Sequence, residues 1–252
     1  MSRAGLLAVL GGGAVLACAL AFGLGYSLYD TATAESRGSA AGGPAASLVS
    51  IRDQLAAAPM LAGDADAGRT PQVAVSLPPA TSLPAATTTG AAGVPSGFPH
   101  SVEGAAAQLA ALEVHVLTAM SIPTAMATYD AWAAPGGVGA ADWSQTRNVQ
   151  SFLTGAQQQS NTKDLATLVR VTPAAFQIKG GDGPDWVVAC VLLDVQATIR
   201  DSARMGYGTC ERMQWDAARW VIAPGSPPAR APSTWPGSDL SVQAGWRPLT
   251  RP

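Results

Sequence analysis

The chain has 252 residues, of which 15 are basic and 17 acidic, for a formal net charge of −2, and charged residues make up only 13% of it. That balance excludes the basic surface on which nucleic-acid binding depends, so no direct nucleic-acid partner is expected. Two lysines (Lys163 and Lys179) against a majority of arginines, with 27 glycines and 19 prolines, match the composition of a GC-rich bacterial coding sequence.

The first apolar run, Gly5 to Leu28, carries no charge. As a helix it is roughly 36 Å long, enough to cross a hydrocarbon core of about 30 Å. Three readings compete for it. A cleaved signal peptide would use Ala32-Thr33-Ala34, but the apolar run is too long for one. A lipoprotein would use Cys18, but the residues up to Tyr26 stay apolar where a lipidated cysteine should open a polar chain. A retained single-pass anchor over residues 1–30 fits best. Arg3 and the free amine place the N-terminus in the cytoplasm and the rest of the chain outside the cell membrane.

Residues 31–97 are rich in Ala, Thr, Ser, Gly and Pro. Such a stretch lacks the apolar surface to offset its ordering entropy and is expected to be a flexible tether spanning about 45 Å. Within it, Leu48, Ile51 and Leu55 have helical spacing, and Gln72 to Leu77 alternates like a strand that a partner could pair.

From Phe98 the pattern is that of a folded domain, expected to run to Ala223. Ser101 is placed to cap a helix to Ser121, with Glu103 in its first turn and Val102, Leu109, Leu112, Val116 and Met120 along one face. Pro123 opens a second helix, Thr124 to Ala134. A third is expected from Ala141 to about Gln159, with Trp143, Val149, Phe152 and Leu153 as core. The period then becomes two. Leu165–Val171 and Ala175–Ile178 read as strand segments, with Pro173 at an edge or bulge. Trp186 to Ile199 is the strongest strand: its odd positions are all apolar, and its even positions pass from Trp186, Val188, Cys190 and Leu192 to Asp194, Gln196 and Thr198. One face is therefore fully buried and the other half covered. Strands Gly206–Trp215 and Arg219–Ala223 complete an antiparallel meander. Three helices followed by a long-stranded sheet is an α+β layout, helices on one face of a curved sheet, in the order of a cystatin-like, NTF2-like roll. Residues 224–252 form a proline-containing tail whose Trp235 and Trp246 either pack on the domain or mark a partner contact.

Chemistry is sparse. His100 stands at a helix entrance, and His115 has Glu113 beside it in sequence but not on its helix face. There is no Cys-x-x-Cys, nucleophile elbow or phosphate loop, so neither metal nor cofactor is expected. If the roll encloses a pocket, Asp194 is the candidate base, its carboxyl raised by burial; otherwise its face is simply solvated. Cys190 and Cys210 lie on neighbouring strands. A turn centred at Arg200 opposes them and permits a disulfide, whereas one near Ser202 leaves them too far apart.

The stretches Gly97–Met120, Met126–Gly137 and Ala231–Leu249 resemble actinobacterial membrane-anchored proteins found with conjugation-type transfer systems. The anchor–linker–roll plan is similar to that of the VirB8/TcpC-like subunits of type IV secretion machines. The resemblance implies a non-enzymatic scaffold that contacts the membrane, other subunits and further copies of itself. On this chain the contact surface would be Trp186, Val188 and Leu192 with Trp235 and Trp246 of the tail. The alternative is a tethered domain that binds, or acts on, a small ligand.

Overall fold

The computed structural model describes residues 50–250. The apolar run at Gly5–Leu28 lies outside them, and among the described residues no helix is long and apolar enough to cross a membrane.

The domain is α+β. Helix α1 (Ile51–Ala57) precedes two short strands, β1 (Thr88–Thr89) and β2 (Pro95–Ser96). Helices α2 (Val102–Ala119), α3 (Ile122–Trp132) and α4 (Ser144–Gly155) follow. Strands β3 (Leu168–Gly181), β4 (Trp186–Thr198), β5 (Ser202–Asp216) and β6 (Arg219–Ile222) form the meander, and α5 (Asp239–Gln243) and β7 (Arg247–Pro248) close the tail. The main sheet has the order β6-β5-β4-β3-β7, every paired strand antiparallel.

Local chemistry accounts for the helix ends. Ser101 Oγ accepts from Gly104 N–H at 3.1 Å, and Met120 ends α2 in the left-handed region at φ +41. Ser121 caps α3 in the same way, with Pro123 in its first turn. Helix α4 is shorter than its expected span, yet Trp143, Val149, Phe152 and Leu153 are all buried as core. Strand β3 runs continuously through Pro173, which a register shift between Pro173 and Ala175 accommodates. The β5–β6 turn holds Ala217 and Ala218 both at positive φ, the backbone of a tight two-residue hairpin.

The odd face of β4 (Val187, Ala189, Val191, Leu193, Val195, Ala197) joins α2, α3 and α4 in the main core. The even face is covered too, but by the chain itself. Trp186, Val188, Cys190 and Leu192 form a second core with Ala56, Ala231 and Trp246, and Leu55 and Met60 pack against it. A close approach makes this possible: a Cβ at Gly180 would lie 2.8 Å from Leu55 Cδ2.

The flexible tether expected up to Gly97 is therefore not what residues 50–97 form. They run as an arm over the domain, bonded to the tail and to β5. Gly206 N–H donates to Gly68 O, Trp235 N–H to Ala67 O, Ala229 N–H to Ala56 O and Thr250 N–H to Thr81 O. Arg212 joins arm and tail, its guanidinium reaching Asp53 at 2.7 Å and Ser226 O at 2.7 Å. Composition under-reads such a segment because its backbone groups find partners on a pre-existing surface and it needs few apolar side chains of its own. Residues 72–77 are not a strand here: Ala74 and Val75 donate to Gly237 O and Asp239 Oδ1, leaving Val73 and Val75 exposed.

Candidate functional site

The residues expected to meet partners are mostly sealed. Trp186 is 1% exposed, Val188 and Leu192 are fully buried, and Trp246 is 2% exposed with its indole N–H on Pro232 O at 3.2 Å. The half-apolar face pointed to a cover, and arm and tail supply it in place of a partner. Trp235 is half-buried, with the Arg204 guanidinium 4.8 Å from its ring centre.

Asp194 is not in an interior pocket. Its even position puts it on the outer sheet face, where Arg204 clasps its carboxylate with two bonds of 2.7 and 2.6 Å. Cys190 faces Cys210 in the β4–β5 register, with Thr198 opposite Ser202 and the turn centred at Arg200, and the two cysteines are disulfide-bonded. His100 stacks on Trp215 at 4.4 Å and meets Asp185 at 2.7 Å.

What the fold brings together instead is a polar cluster between α2, α4 and β5. Helix α2 contributes Glu113, fully buried; α4 contributes Gln145 and Asn148, preceded by Trp143; β5 contributes Tyr207, Thr209 and Glu211 from its helix-facing side. Trp143 Nε1–H donates to Glu211 at 2.8 Å. Gln145 Nε2 donates to Tyr207 Oη at 3.0 Å and Thr209 Oγ1 at 3.1 Å. Asn148 Nδ2 donates to Gln145 Oε1 at 3.0 Å and Tyr207 Oη at 2.7 Å.

Desolvation dominates the electrostatics. Burial, reinforced by the Glu211 charge, holds the Glu113 carboxyl well above the usual range. Burial pushes Glu211 up to about 7, against the pull of the Trp143 bond and of Arg212. Tyr207 is raised by burial and by Glu113, and Tyr129 by burial and by Glu211. Sequence reasoning passed over these residues although two signals were present. Glu113 shares the helix stripe of Leu109, Leu112 and Val116, and Tyr207, Thr209 and Glu211 alternate along the inward side of β5.

An accessible concave feature lies elsewhere. A groove of about 880 Å³ runs between α2, the arm and the start of β3, lined by Leu83, Phe98, Ala111, Val114, Pro173 and Leu249, with His115 and Thr172 among its few polar residues. Burial lowers the His115 pKa, which favours a neutral imidazole there. Beside the groove, β3 has β7 on its outer side only at Ala175 and Phe176. Among the described residues, Leu168 to Thr172 have a strand neighbour on the β4 side alone. Leu165 and Leu168 next to that edge are 100% and 65% exposed. No protein-family model, no curated protein and no solved structure matches the chain, and its functional reading rests on these residues.

Proposed function

We propose that the chain is a non-enzymatic assembly subunit, tethered to the cell membrane by its N-terminal apolar run. Its roll, of the NTF2-like type, works outside the membrane in a conjugative transfer or type IV secretion apparatus. The observation that carries the docking role is the open edge of β3 at Leu168–Thr172, continuous through Thr172 and Pro173 with the apolar groove. Unpaired strand edges take up extended segments by main-chain hydrogen bonding, with alternate side chains seated in adjoining apolar surface. The occupant is accordingly an extended, uncharged apolar segment of another subunit. The outer face is not available at Trp186, Val188 and Leu192, where arm and tail already fill it, and its exposed end is the one that carries Leu168.

The test is purification of tagged full-length protein from native membranes in mild detergent, beside Leu168→Asp. The exposed leucine can change without disturbing the core. Wild type is expected in a particle containing other membrane subunits, and the variant alone, with unchanged melting temperature. Equal assembly of the two would contradict docking at this edge.

A second reading, a tethered small-ligand domain, draws on the groove volume, which falls within the range of ligand pockets. It predicts that Val114→Trp abolishes ligand binding and leaves the particle size unaltered.

A further inference from the structure

Ten large apolar side chains are exposed among the described residues, and five of them fall in two places: Val73, Val75 and Leu77 in the arm, Leu165 and Leu168 at the open end of β3. Val73 and Val75 are 84% and 96% exposed and alternate with Ala74 and Ser76. From Thr70 to Pro99 the chain carries no Asp, Glu, Lys or Arg. The segment is held by the tail, Ala74 N–H donating to Gly237 O at 2.8 Å and Val75 N–H to Asp239 Oδ1 at 3.0 Å. Its own carbonyls, from Gln72 to Leu77, accept no hydrogen bond among the described residues. Exposed apolar alternation with unused carbonyls has the character of a strand without a sheet. The open stretch of β3 is the counterpart. Leu168, Arg170 and Thr172 lie opposite Thr198, Gln196 and Asp194 of β4 and so share the outer side, while Val169 and Val171 are buried in the core.

We propose that Gln72 to Leu77 of one copy of this chain adds as a strand to the β3 edge, Leu168 to Thr172, of a second copy. The inference rests on the docking role of that edge and names its occupant. Six extended residues span about 20 Å, enough to cover the five of the edge. Val73, Val75 and Leu77 then form one row against Leu168, the Arg170 stem and Thr172, the cross-strand pairing that favours β-branched and apolar partners. Ala74 and Ser76 fall on the other side, where small side chains meet the helix layer. Within one chain the two halves do not pair, since the strand neighbours of β3 are β4 and β7. Charge selects this contact over β3 against β3: antiparallel pairing of two such edges about Arg170 sets two guanidinium groups opposite each other, whereas the arm segment is neutral. The contact is heterologous, segment to edge, and closes as a reciprocal pair or ring or extends as a chain of copies.

The test uses full-length protein expressed without any other subunit, purified in mild detergent and weighed by light scattering over a range of concentrations. Wild type is expected to associate into two or more copies. Val73→Asp and Leu168→Asp should each weaken association at least about tenfold at unchanged melting temperature, because each puts a charge into the added strand or its bed. An equimolar mixture of the two variants should regain association, since one brings an intact segment and the other an intact edge. A wild type that stays a single chain by itself, while Leu168→Asp still drops out of the particle from native membranes, would overturn this inference and leave the edge to a different subunit. Leu168→Asp remaining in that particle would instead remove the docking role and this inference with it. Association that Leu168→Asp weakens and Val73→Asp does not, or a mixture that fails to regain it, would also overturn the pairing, the former by assigning the contact to two β3 edges.

Discussion

Single residues in this domain act through which side of the sheet they occupy. Glu211, on the helix side of β5, has its carboxyl raised from 4.5 to about 7. The folded state thus holds this proton to higher pH than the unfolded chain. The stability linked to it is fully present below about 4.5 and lost as pH rises towards 7. Glu113, raised well above its usual value, carries the same sign further up the scale. The unfolding free energy measured by urea titration should fall across this window, and Glu211→Gln should flatten the slope. Trp186, on the other side, is a core residue. Trp186→Ala should cost about 3–5 kcal/mol of stability by the same measurement, with assembly lost only where folding is lost. Parity along β4 was readable in the sequence and correctly buried Val187 to Ala197. Parity could not say what covers Trp186 and Leu192, because that cover comes from the arm, more than a hundred positions away, and from the tail.

At the scale of elements, the β4–β5 hairpin and the crossing of arm and tail hold the outer layer. The Cys190–Cys210 bond closes a loop with a sequence separation of 20. Restricting the unfolded chain over that length is worth about 3 kcal/mol, so Cys190→Ala with Cys210→Ala should lower the unfolding free energy measured by urea titration by about that amount. The crossing depends on bare backbone. A Cβ at Gly206 would lie 1.9 Å from Thr234 O and 2.9 Å from Pro236 Cδ. Gly206→Ala should therefore cost about 1–3 kcal/mol and make residues 229–238 sensitive to limited proteolysis before the rest of the domain. The helices and strands were legible because their signals are local: Ser101 and Ser121 as caps, Pro123 in a first turn, strict alternation along β4. The arm was not, since a Pro-, Ala- and Thr-rich stretch carries no periodicity and is ordered by bonds such as Gly206 N–H to Gly68 O. The polar cluster was missed for a related reason. Glu113 was weighed only as a sequence neighbour of His115 off its helix face, although its stripe mates are Leu109, Leu112 and Val116.

For the whole molecule, one face of the sheet is committed to α2, α3 and α4, and the other, over Trp186 to Leu192, to α1, Met60 and the tail. The surface proposed for a partner is the β3 edge with exposed Leu168 and, just before it, Leu165, together with the adjoining groove. A domain built this way keeps its strong packing internal and leaves Leu168–Thr172 of β3 without a second strand neighbour among the described residues. The most direct measurement is the mass of the full-length protein extracted from native membranes, wild type against Leu168→Asp, each with its melting temperature. The account predicts a multi-subunit particle for wild type and a single chain for Leu168→Asp at the same melting temperature. A wild-type protein that is itself a lone chain, or a variant that assembles as well as wild type, would contradict it.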